Sequence, residues 1–210
     1  MPVFLVVSRQ AFEFGGFNMS TIRKLPAPIE ITMPLAQVLG RRRSCREFSE
    51  EPVDESILSA LLWACAGRNS ADGRRTAPSA LNCREVDCFV FDNQGVWLYD
   101  ADANSLTQVA EGDQRGSTTI GQTFVQQAPV TLMLAVNHDK DTPLSSGRRG
   151  DICRSADVGA MMQNALLACA AMGLAAVPRA SFDPQTVLQA MSQTAQQYEP
   201  QMAVTVGFAA

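Results

Sequence analysis

The sequence predicts an α+β fold in which helices lie outside a mixed β-sheet. Val86 to Phe91 and Val96 to Tyr99 are rich in strand-forming residues, and the turn-like sequence Asp-Asn-Gln-Gly separates them, as in a β-hairpin. Val130 to Val136 is a continuous apolar run after Pro129, which is typical of a buried central strand. The segment from about Arg154 to Met172 has the composition of a long helix rich in alanine, glycine and methionine.

The N-terminal region is expected to be an extension of the domain. It starts with a short apolar stretch but has no basic residue before it and no convincing small-residue cleavage site, so a secretory signal is not expected. We expect residues 1–24 to form a poorly ordered extension and residues 25–210 to form a single domain. Within the extension, Met19 is a candidate for the natural start.

Two helices are predicted in the first third of the domain. Pro34 suits the first turn of a short helix from Pro34 to Leu39, with Gly40 as its stop. Asp54 is a good N-cap for a second helix, which Gly67 ends. The apolar residues of this second helix recur at helical spacing: Ile57, Leu58, Leu61, Leu62 and Cys65. Residues 68–85 are small, polar or basic, and they predict an ordered loop.

The remaining elements follow in the same way. A short strand around Leu106 to Val109 extends the hairpin into a meander. The polar residues Asn137 to Gly150 are expected to form a mobile loop before the long helix, which stops at Gly173. Asp183 and Pro184 open another helix as N-cap and first helical residue, and Gln201 to Phe208 provides the last strand.

The composition excludes several classes of protein. A net charge of -4 with 18% charged residues fits neither a disordered chain nor a generally basic nucleic-acid-binding protein. No apolar run reaches the ~18 residues that a membrane span needs. His138 is the only histidine and no Cys-x-x-Cys pair occurs, so neither a metal site nor a disulfide framework is expected. A reducing cytoplasm is the expected location.

The first positive signal for function is a run of arginines directly after the first helix. Arg41, Arg42, Arg43 and Arg46 lie within six residues and repel one another unless an anion neutralises them. A phosphate group suits such a cluster, because it carries about -1.5 to -2 charges and several strong acceptor oxygens. On these residues alone, however, a solvated basic turn is the stronger interpretation.

The second signal is the segment from Arg75 to Asn82. Its Pro-Ser-Ala turn carries no bulky side chain before Leu81, so a flat ring can approach the backbone there. The Asn82 amide both donates and accepts hydrogen bonds, as the pyrimidine edge of a flavin requires. Pro-Ser turns are common, so this segment is also a weak signal when it is taken alone.

In order, the two segments resemble the nitroreductase family, and within it the shorter branch that is similar to the SagB-type dehydrogenases. Arg42 to Phe48 resembles the family's Arg-x-Ser-x-Arg-x-Phe motif, and Arg75 to Asn82 resembles its next block. Further matches keep the family order: Gly95 to Tyr99, Asp113 to Arg115, Gly121-Gln122, Ala128 to Val130, Asp157 to Gly159, Gln163-Asn164 and Gly173-Leu174. The resemblance runs from about Leu25 to Phe208.

The resemblance implies a mainly antiparallel sheet in a domain-entwined homodimer with two FMN sites at the subunit interface. It also implies the cofactor contacts. The phosphate and ribityl chain would be held by Arg42, Arg43, Ser44 and Arg46. The isoalloxazine would be lined by Pro78, Ser79, Ala80 and Asn82 of the partner subunit, with Gln122 near the polar edge of the ring and Arg179 near anionic groups of the cofactor.

One departure concerns the phosphate. Many members place a basic Lys-x-Arg pair on it from near the C-terminus, whereas this sequence reads Gly207-Phe208-Ala209-Ala210 there. Arg179, Arg84 and Arg75 are the candidates to replace that pair. Arg84 also stands where other members carry glutamine or an aromatic residue, so the substrate pocket is expected to favour anionic or planar groups.

The expected activity is that of an FMN-dependent oxidoreductase that uses NADH or NADPH to reduce a small organic acceptor, such as a nitro compound or quinone, by ping-pong hydride transfer. No side chain is assigned a catalytic role. Three alternatives stay open. The first is a flavin-dependent dehydrogenase acting on a modified peptide or small heterocycle, and the second is a flavin-binding protein without turnover. The third is a polyanion-binding domain without catalysis, which the net charge disfavours.

Overall fold

A computed structural model of the chain describes residues 21–141 and 146–210. Among these residues there are seven strands: β1 (Ile22–Lys24), β2 (Val86–Phe91), β3 (Gly95–Asp100), β4 (Ser105–Glu111), β5 (Val130–Asn137), β6 (Ala175–Arg179) and β7 (Tyr198–Gly207). The same residues contain five α-helices: α1 (Leu35–Arg41), α2 (Glu55–Ala66), α3 (Phe124–Gln127), α4 (Gly147–Ala171) and α5 (Pro184–Ala190).

The strands form one sheet in the order β1-β4-β3-β2-β5-β7-β6, and each neighbouring pair is antiparallel. Tight turns join β2 to β3 and β3 to β4, and such short connections are possible only between antiparallel strands. Parallel pairing in the described residues is limited to an isolated bridge between Ser44 and Ala176. The predicted α+β fold is therefore confirmed.

The core lies on both faces of the sheet. Successive side chains of a strand point to opposite faces, and β2 shows this alternation. Cys88 and Val90 belong to the larger cluster, which packs against α2 and α4, whereas Phe89 and Phe91 belong to a second cluster against α5. The two phenylalanines are fully buried, and burying each contributes about 1.5–3 kcal/mol.

The sheet begins before the predicted domain boundary. Ile22–Lys24 forms β1 and pairs with β4, so the extension predicted over residues 1–24 ends too late. Arg23 fixes this strand, because its guanidinium stacks 4.4 Å from the centre of the Trp97 ring and bonds Asp92 at 3.0 Å. Ile22 and Lys24 are exposed and Arg23 is half-buried, and a strand of three residues is too short to show an apolar period in the sequence. Residues 1–20 lie outside the described residues.

The long helix also begins earlier than predicted. α4 starts at Gly147 instead of Arg154, so the end of the predicted mobile loop is helical, and residues 142–145 of that loop lie outside the described residues. The first turns of α4 are polar and mostly exposed, so they have no apolar period to read. An ion pair between Arg154 and Asp151, three residues apart and 2.8 Å between atoms, supports this part of the helix.

Several predicted boundaries match the structure closely. Asp183 caps α5, where its carboxylate accepts a hydrogen bond of 2.8 Å from the Thr186 amide. Asp54 occupies the N-cap position of α2 without a side-chain capping bond. Gly173 follows α4 with φ +76°, a conformation that favours glycine. Within residues 21–141 and 146–210, no helix combines the length and apolar character needed to cross a membrane.

Candidate functional site

The arginine run lies along the free edge of the sheet. Ser44 forms a parallel bridge to Ala176 of the edge strand β6, and the Cys45 amide donates to the Ala176 carbonyl at 3.0 Å. Further along, Phe48 bridges Ala209, just beyond β7. Residues 42–48, here called the arginine segment, are therefore held by backbone hydrogen bonds and not left as a flexible turn.

A buried aromatic contact anchors the end of the arginine segment. Phe48 is only 5% exposed, and its ring centre lies 6.0 Å from that of Phe124. Together with Ala175 and Val177 of β6, these rings form a small apolar cluster. Because Phe48 is fixed in this cluster, the position of the preceding arginines is tied to β6 and α3.

The side chains of the arginine segment carry uncompensated charge. Across residues 21–141 and 146–210, no carboxylate forms an ion pair with Arg42, Arg43 or Arg46, nor with the neighbouring Arg41. The one hydrogen bond among them runs from the Arg43 guanidinium to the Arg42 carbonyl, at 2.8 Å. Arginines elsewhere do pair with carboxylates, namely Arg23, Arg68, Arg74, Arg75, Arg115 and Arg154. A cluster of free guanidinium groups in an acidic chain favours an anionic ligand.

Arg179 and Gln122 lie beside the arginine segment but bond to each other and to the protein. Arg179 is 4% exposed, and it donates to the Thr118 carbonyl at 2.7 Å and to the Thr205 hydroxyl at 2.8 Å. A longer bond of 3.5 Å joins it to the Gln122 side chain. Burial lowers the pKa of Arg179 to about 10, so it stays charged at neutral pH. Its donors are thus engaged within the fold, and a direct contact of Arg179 with the cofactor stays a prediction.

The second predicted half of the site contains the turn at residues 78–84, and the backbone of this turn is strained. Leu81, Asn82 and Arg84 adopt positive φ angles of 54°, 57° and 54°. Asparagine tolerates this region, but leucine and arginine rarely occupy it, at a cost of about 1–3 kcal/mol each. Such strain persists only where surrounding contacts enforce it, and it is concentrated at functional sites.

Hydrogen bonds from buried groups enforce this conformation. The Ser79 hydroxyl accepts from the Arg84 amide at 2.7 Å and donates to Glu85 at 3.1 Å. The Ala80 amide donates to Asp157 of α4 at 2.9 Å. Sequence reasoning assigned no role to Glu85 or to the Asp157 side chain. The available signal for Glu85 was an acidic residue directly before the buried strand β2.

The exposed side of the turn offers the groups that the sequence predicted for binding. Pro78 and Asn82 are exposed, whereas Ser79 and Ala80 are half-buried. The Asn82 side-chain oxygen accepts from the Arg84 guanidinium at 3.0 Å, and its amide nitrogen has no partner in the part of the chain that the structure describes. The turn therefore exposes Pro78, the apolar side chain of Leu81 and a hydrogen-bond donor at Asn82.

A cavity of about 440 Å³ lies behind the turn. Its polar lining includes Arg75, Arg84, Lys140 and Asp157. Arg75 pairs with Asp102 at 2.8 Å, and Arg84 bonds Asn82. Neither arginine therefore joins the arginine segment, although both were candidates to replace the missing basic pair.

The two halves lie at opposite ends of the sheet. Ser44 is level with Val130, at the start of β5, through Ala176 and Val206, whereas Val86 pairs with Val136 near the end of β5. Val130 and Val136 are six residues apart, so the two segments are separated by about 20 Å along the strands. Four strand spacings lie between Ser44 and β2, which adds a separation of about 19 Å across the sheet.

The comparisons with known proteins identify the class. Residues 39–208 match the model of the Nitroreductase family, so the chain belongs to the nitroreductase family, whose members are oxidoreductases. A protein of Methanocaldococcus jannaschii described as a "putative nitroreductase" is 30% identical over 172 residues, which are 73% of this chain and 85% of that protein.

Two solved structures show the same fold. A protein of Ralstonia eutropha JMP134 with the same description is 35% identical, with a TM-score of 0.84 over 100% of this chain and 98% of that chain. A protein of Desulfovibrio desulfuricans, again so described and crystallised in complex with FMN, is 21% identical, with a TM-score of 0.64 over 85% of this chain and 87% of that chain.

Proposed function

We propose that this protein is an FMN-dependent oxidoreductase that uses NADH or NADPH to reduce a small organic acceptor, such as a nitro compound or a quinone. The observation that carries the proposal is the arginine segment, in which guanidinium groups without carboxylate partners are fixed against the edge of the sheet. The membership in the nitroreductase family and the FMN in the Desulfovibrio desulfuricans structure support it.

The residues present fit the phosphate end of FMN. Arg42, Arg43 and Arg46 would neutralise the phosphate, and Ser44 would supply a hydroxyl to it or to the ribityl chain. Each charge-assisted hydrogen bond of this kind contributes about 1.5–3 kcal/mol when it is shielded from water. Arg179 would act indirectly, by holding β6 and Gln122 in place beside the arginine segment.

The ring end would be completed by a second copy of the chain. Because the turn at residues 78–84 lies far from the arginine segment of its own chain, one subunit does not bring both halves to one small ligand. In a two-fold symmetric homodimer, the turn of one subunit would face the arginine segment of its partner, and two equal sites would form. Pro78, Ser79 and Ala80 would pack on the flavin ring, while the Asn82 amide would bond its polar edge.

Binding and placement are the roles of this chain in the reaction. When bound, FMN would supply the redox chemistry that links a nicotinamide donor to an organic acceptor. The strained turn would present its exposed side to these ligands. No residue at the exposed face of the turn is placed to move a proton, so no catalytic side chain is assigned.

The absorbance spectrum of the purified protein tests the cofactor directly. We expect flavin absorption bands, or their retention on the protein after FMN is added, and bleaching of these bands by NADH or NADPH without oxygen. Return of the bands when a quinone or nitro compound is added would establish turnover. A protein that stays colourless after FMN is added contradicts the proposal, and steeply salt-dependent DNA binding would then favour the polyanion interpretation.

Substitution of Arg42 tests where the phosphate binds. Arg42→Ala removes one guanidinium from the proposed phosphate contact, so we expect the Kd for FMN to rise roughly 10- to 100-fold. Arg41→Ala is the matched control, because it removes the same charge from the end of α1, outside the family motif. Fluorescence titration measures both variants, and equal effects would show that only the general positive charge matters.

A further inference from the structure

Two buried carboxyl groups lie directly beneath the turn at residues 78–84. Glu85 is 3% exposed and Asp157 is 6% exposed, and besides burial, the charge of Asp157 is close enough to raise the pKa of Glu85. Glu85 also accepts from the Ser79 hydroxyl, and Asp157 accepts from the Ala80 amide. The pair therefore contacts two consecutive residues of the turn that would line the flavin ring.

Within residues 21–141 and 146–210, neither Glu85 nor Asp157 forms an ion pair. Three cations around them pair with other carboxylates: Arg75 with Asp102, Lys140 with Asp87, and Arg154 on α4 with Asp151. The Arg84 guanidinium bonds the neutral side chain of Asn82. Two carboxylates without a counter-ion in a buried site cannot both ionise without a large cost.

Two like charges this close favour a proton on one of the two carboxyl groups, and a protonated carboxyl can donate a hydrogen bond to an ionised neighbour. The Ser79 hydroxyl does not supply a donor to Asp157, because it donates to Glu85. Burial, followed by the charge of Asp157, raises the pKa of Glu85, which places that proton on Glu85.

We propose that Glu85 and Asp157 share one proton, held on Glu85, and that this proton fixes the backbone of Ser79 and Ala80 in the shape that receives the flavin ring. This inference rests on the proposed function for its link to FMN. Glu85 and Asp157 are positioning residues, since they act on the ligand through the turn. Once the proton is lost, two like charges face each other and the Ala80 contact to Asp157 is strained.

The direction of the pH effect follows from the raised pKa. Below the ordinary glutamate pKa of 4.5, Glu85 is protonated in both the folded and the unfolded chain, and the contribution of the pair is fully present. As the pH rises from that value through the higher pKa of the folded protein, the folded state binds more protons than the unfolded one and loses stability. Over that interval the turn should loosen and the affinity for FMN should fall.

Glu85→Gln tests the shared proton, because the glutamine amide is a permanent donor in the same place. We expect the ratio of the FMN Kd of the wild type to that of Glu85→Gln to be near one at acid pH and to rise roughly tenfold as Glu85 ionises. The titration of the FMN phosphate affects both proteins alike and cancels in this ratio. Glu85→Ala, which has no donor, should bind FMN weakly at every pH.

A measurement without FMN separates this inference from the proposed function. In the free protein, the NMR shift of the Ala80 amide should titrate with Glu85 in the wild type and stay constant in Glu85→Gln. If the protein binds no FMN, the proposed function fails, while the Ala80 titration still decides whether the proton is shared. A Kd ratio independent of pH, or the same Ala80 titration in both proteins, would overturn the inference.

Discussion

At the scale of single residues, burial decides what each arginine does. Arg179 is almost fully buried, and its planar guanidinium donates in several directions at once, to the Thr118 carbonyl and the Thr205 hydroxyl. Arg42 and Arg46 have no carboxylate partner in the described residues. Arginines of the same predicted site therefore divide into one that holds the protein together and others that are available to a ligand.

Arg179→Lys distinguishes these two roles. Lysine keeps the charge but cannot reproduce the forked geometry, so we expect the free energy of unfolding to fall by about 1–3 kcal/mol. Because Arg179 acts on the site only indirectly, the Kd for FMN of the folded protein should rise less than in Arg42→Ala. Urea unfolding and FMN titration measure the two quantities, with Arg74→Lys as an exposed control. Lost FMN binding with unchanged stability would instead support the direct contact with the cofactor that the sequence predicted for Arg179.

At the scale of elements, the end of β7 connects the sheet to the arginine segment. Gly207 closes this strand, and a Cβ atom there would lie 2.6 Å from the Pro129 ring and 3.2 Å from the Phe48 ring. Phe48 in turn anchors the arginine segment. The absence of a side chain at residue 207 thus allows Phe48 to seat, and with it the arginines that precede it.

Gly207→Ala should therefore disturb both stability and binding. The added methyl group overpacks a tight contact, for which we expect a loss of about 1–3 kcal/mol in the free energy of unfolding. FMN affinity should fall in the folded protein as well, because Phe48 is displaced. Gly40→Ala serves as the control, since a Cβ at this exposed position of α1 meets no atom within 4 Å. Wild-type stability in Gly207→Ala would show that Phe48 and Pro129 adjust freely.

At the scale of the whole molecule, the sheet separates the two halves of the proposed site. The arginine segment lies beside β6 at one edge, and the turn at residues 78–84 precedes β2 at the other end of β5. In the proposed homodimer, unlike halves of two identical chains would meet and complete each site.

Mixing two inactive variants tests the shared site. Arg42→Ala damages the arginine half and Asn82→Ala damages the ring half, so each homodimer should bind FMN poorly. A heterodimer of the two has one site with both defects and one intact site. After unfolding and refolding of an equal mixture, we expect about a quarter of the wild-type FMN sites to return. No recovery in refolded dimers would show that both halves act within one chain.

The sequence was informative wherever a local pattern carries the structure. The central strands, α2 and the cap of α5 follow from runs and periods of a few residues. It was silent about β1 and the first turns of α4, which lack an apolar period, and about β6, which is recognised as a strand only through its pairing with β7. In the site, the arginine cluster and the Pro-Ser-Ala turn stand out in the chain. The pairing of Glu85 with Asp157 does not, because 72 residues separate them.

By itself, then, the sequence determined the α+β fold, the order of the family motifs and the residue types suited to a phosphate and a flat ring. These properties are local, since charge, turn chemistry and periodicity are set by neighbours in the chain. Tertiary structure alone decided which arginines remain free, which carboxyl groups meet beneath the turn, and how far apart the two halves lie. Those outcomes depend on strand register and burial. Both set which residues meet in space, and the separation of two residues along the chain does not predict it.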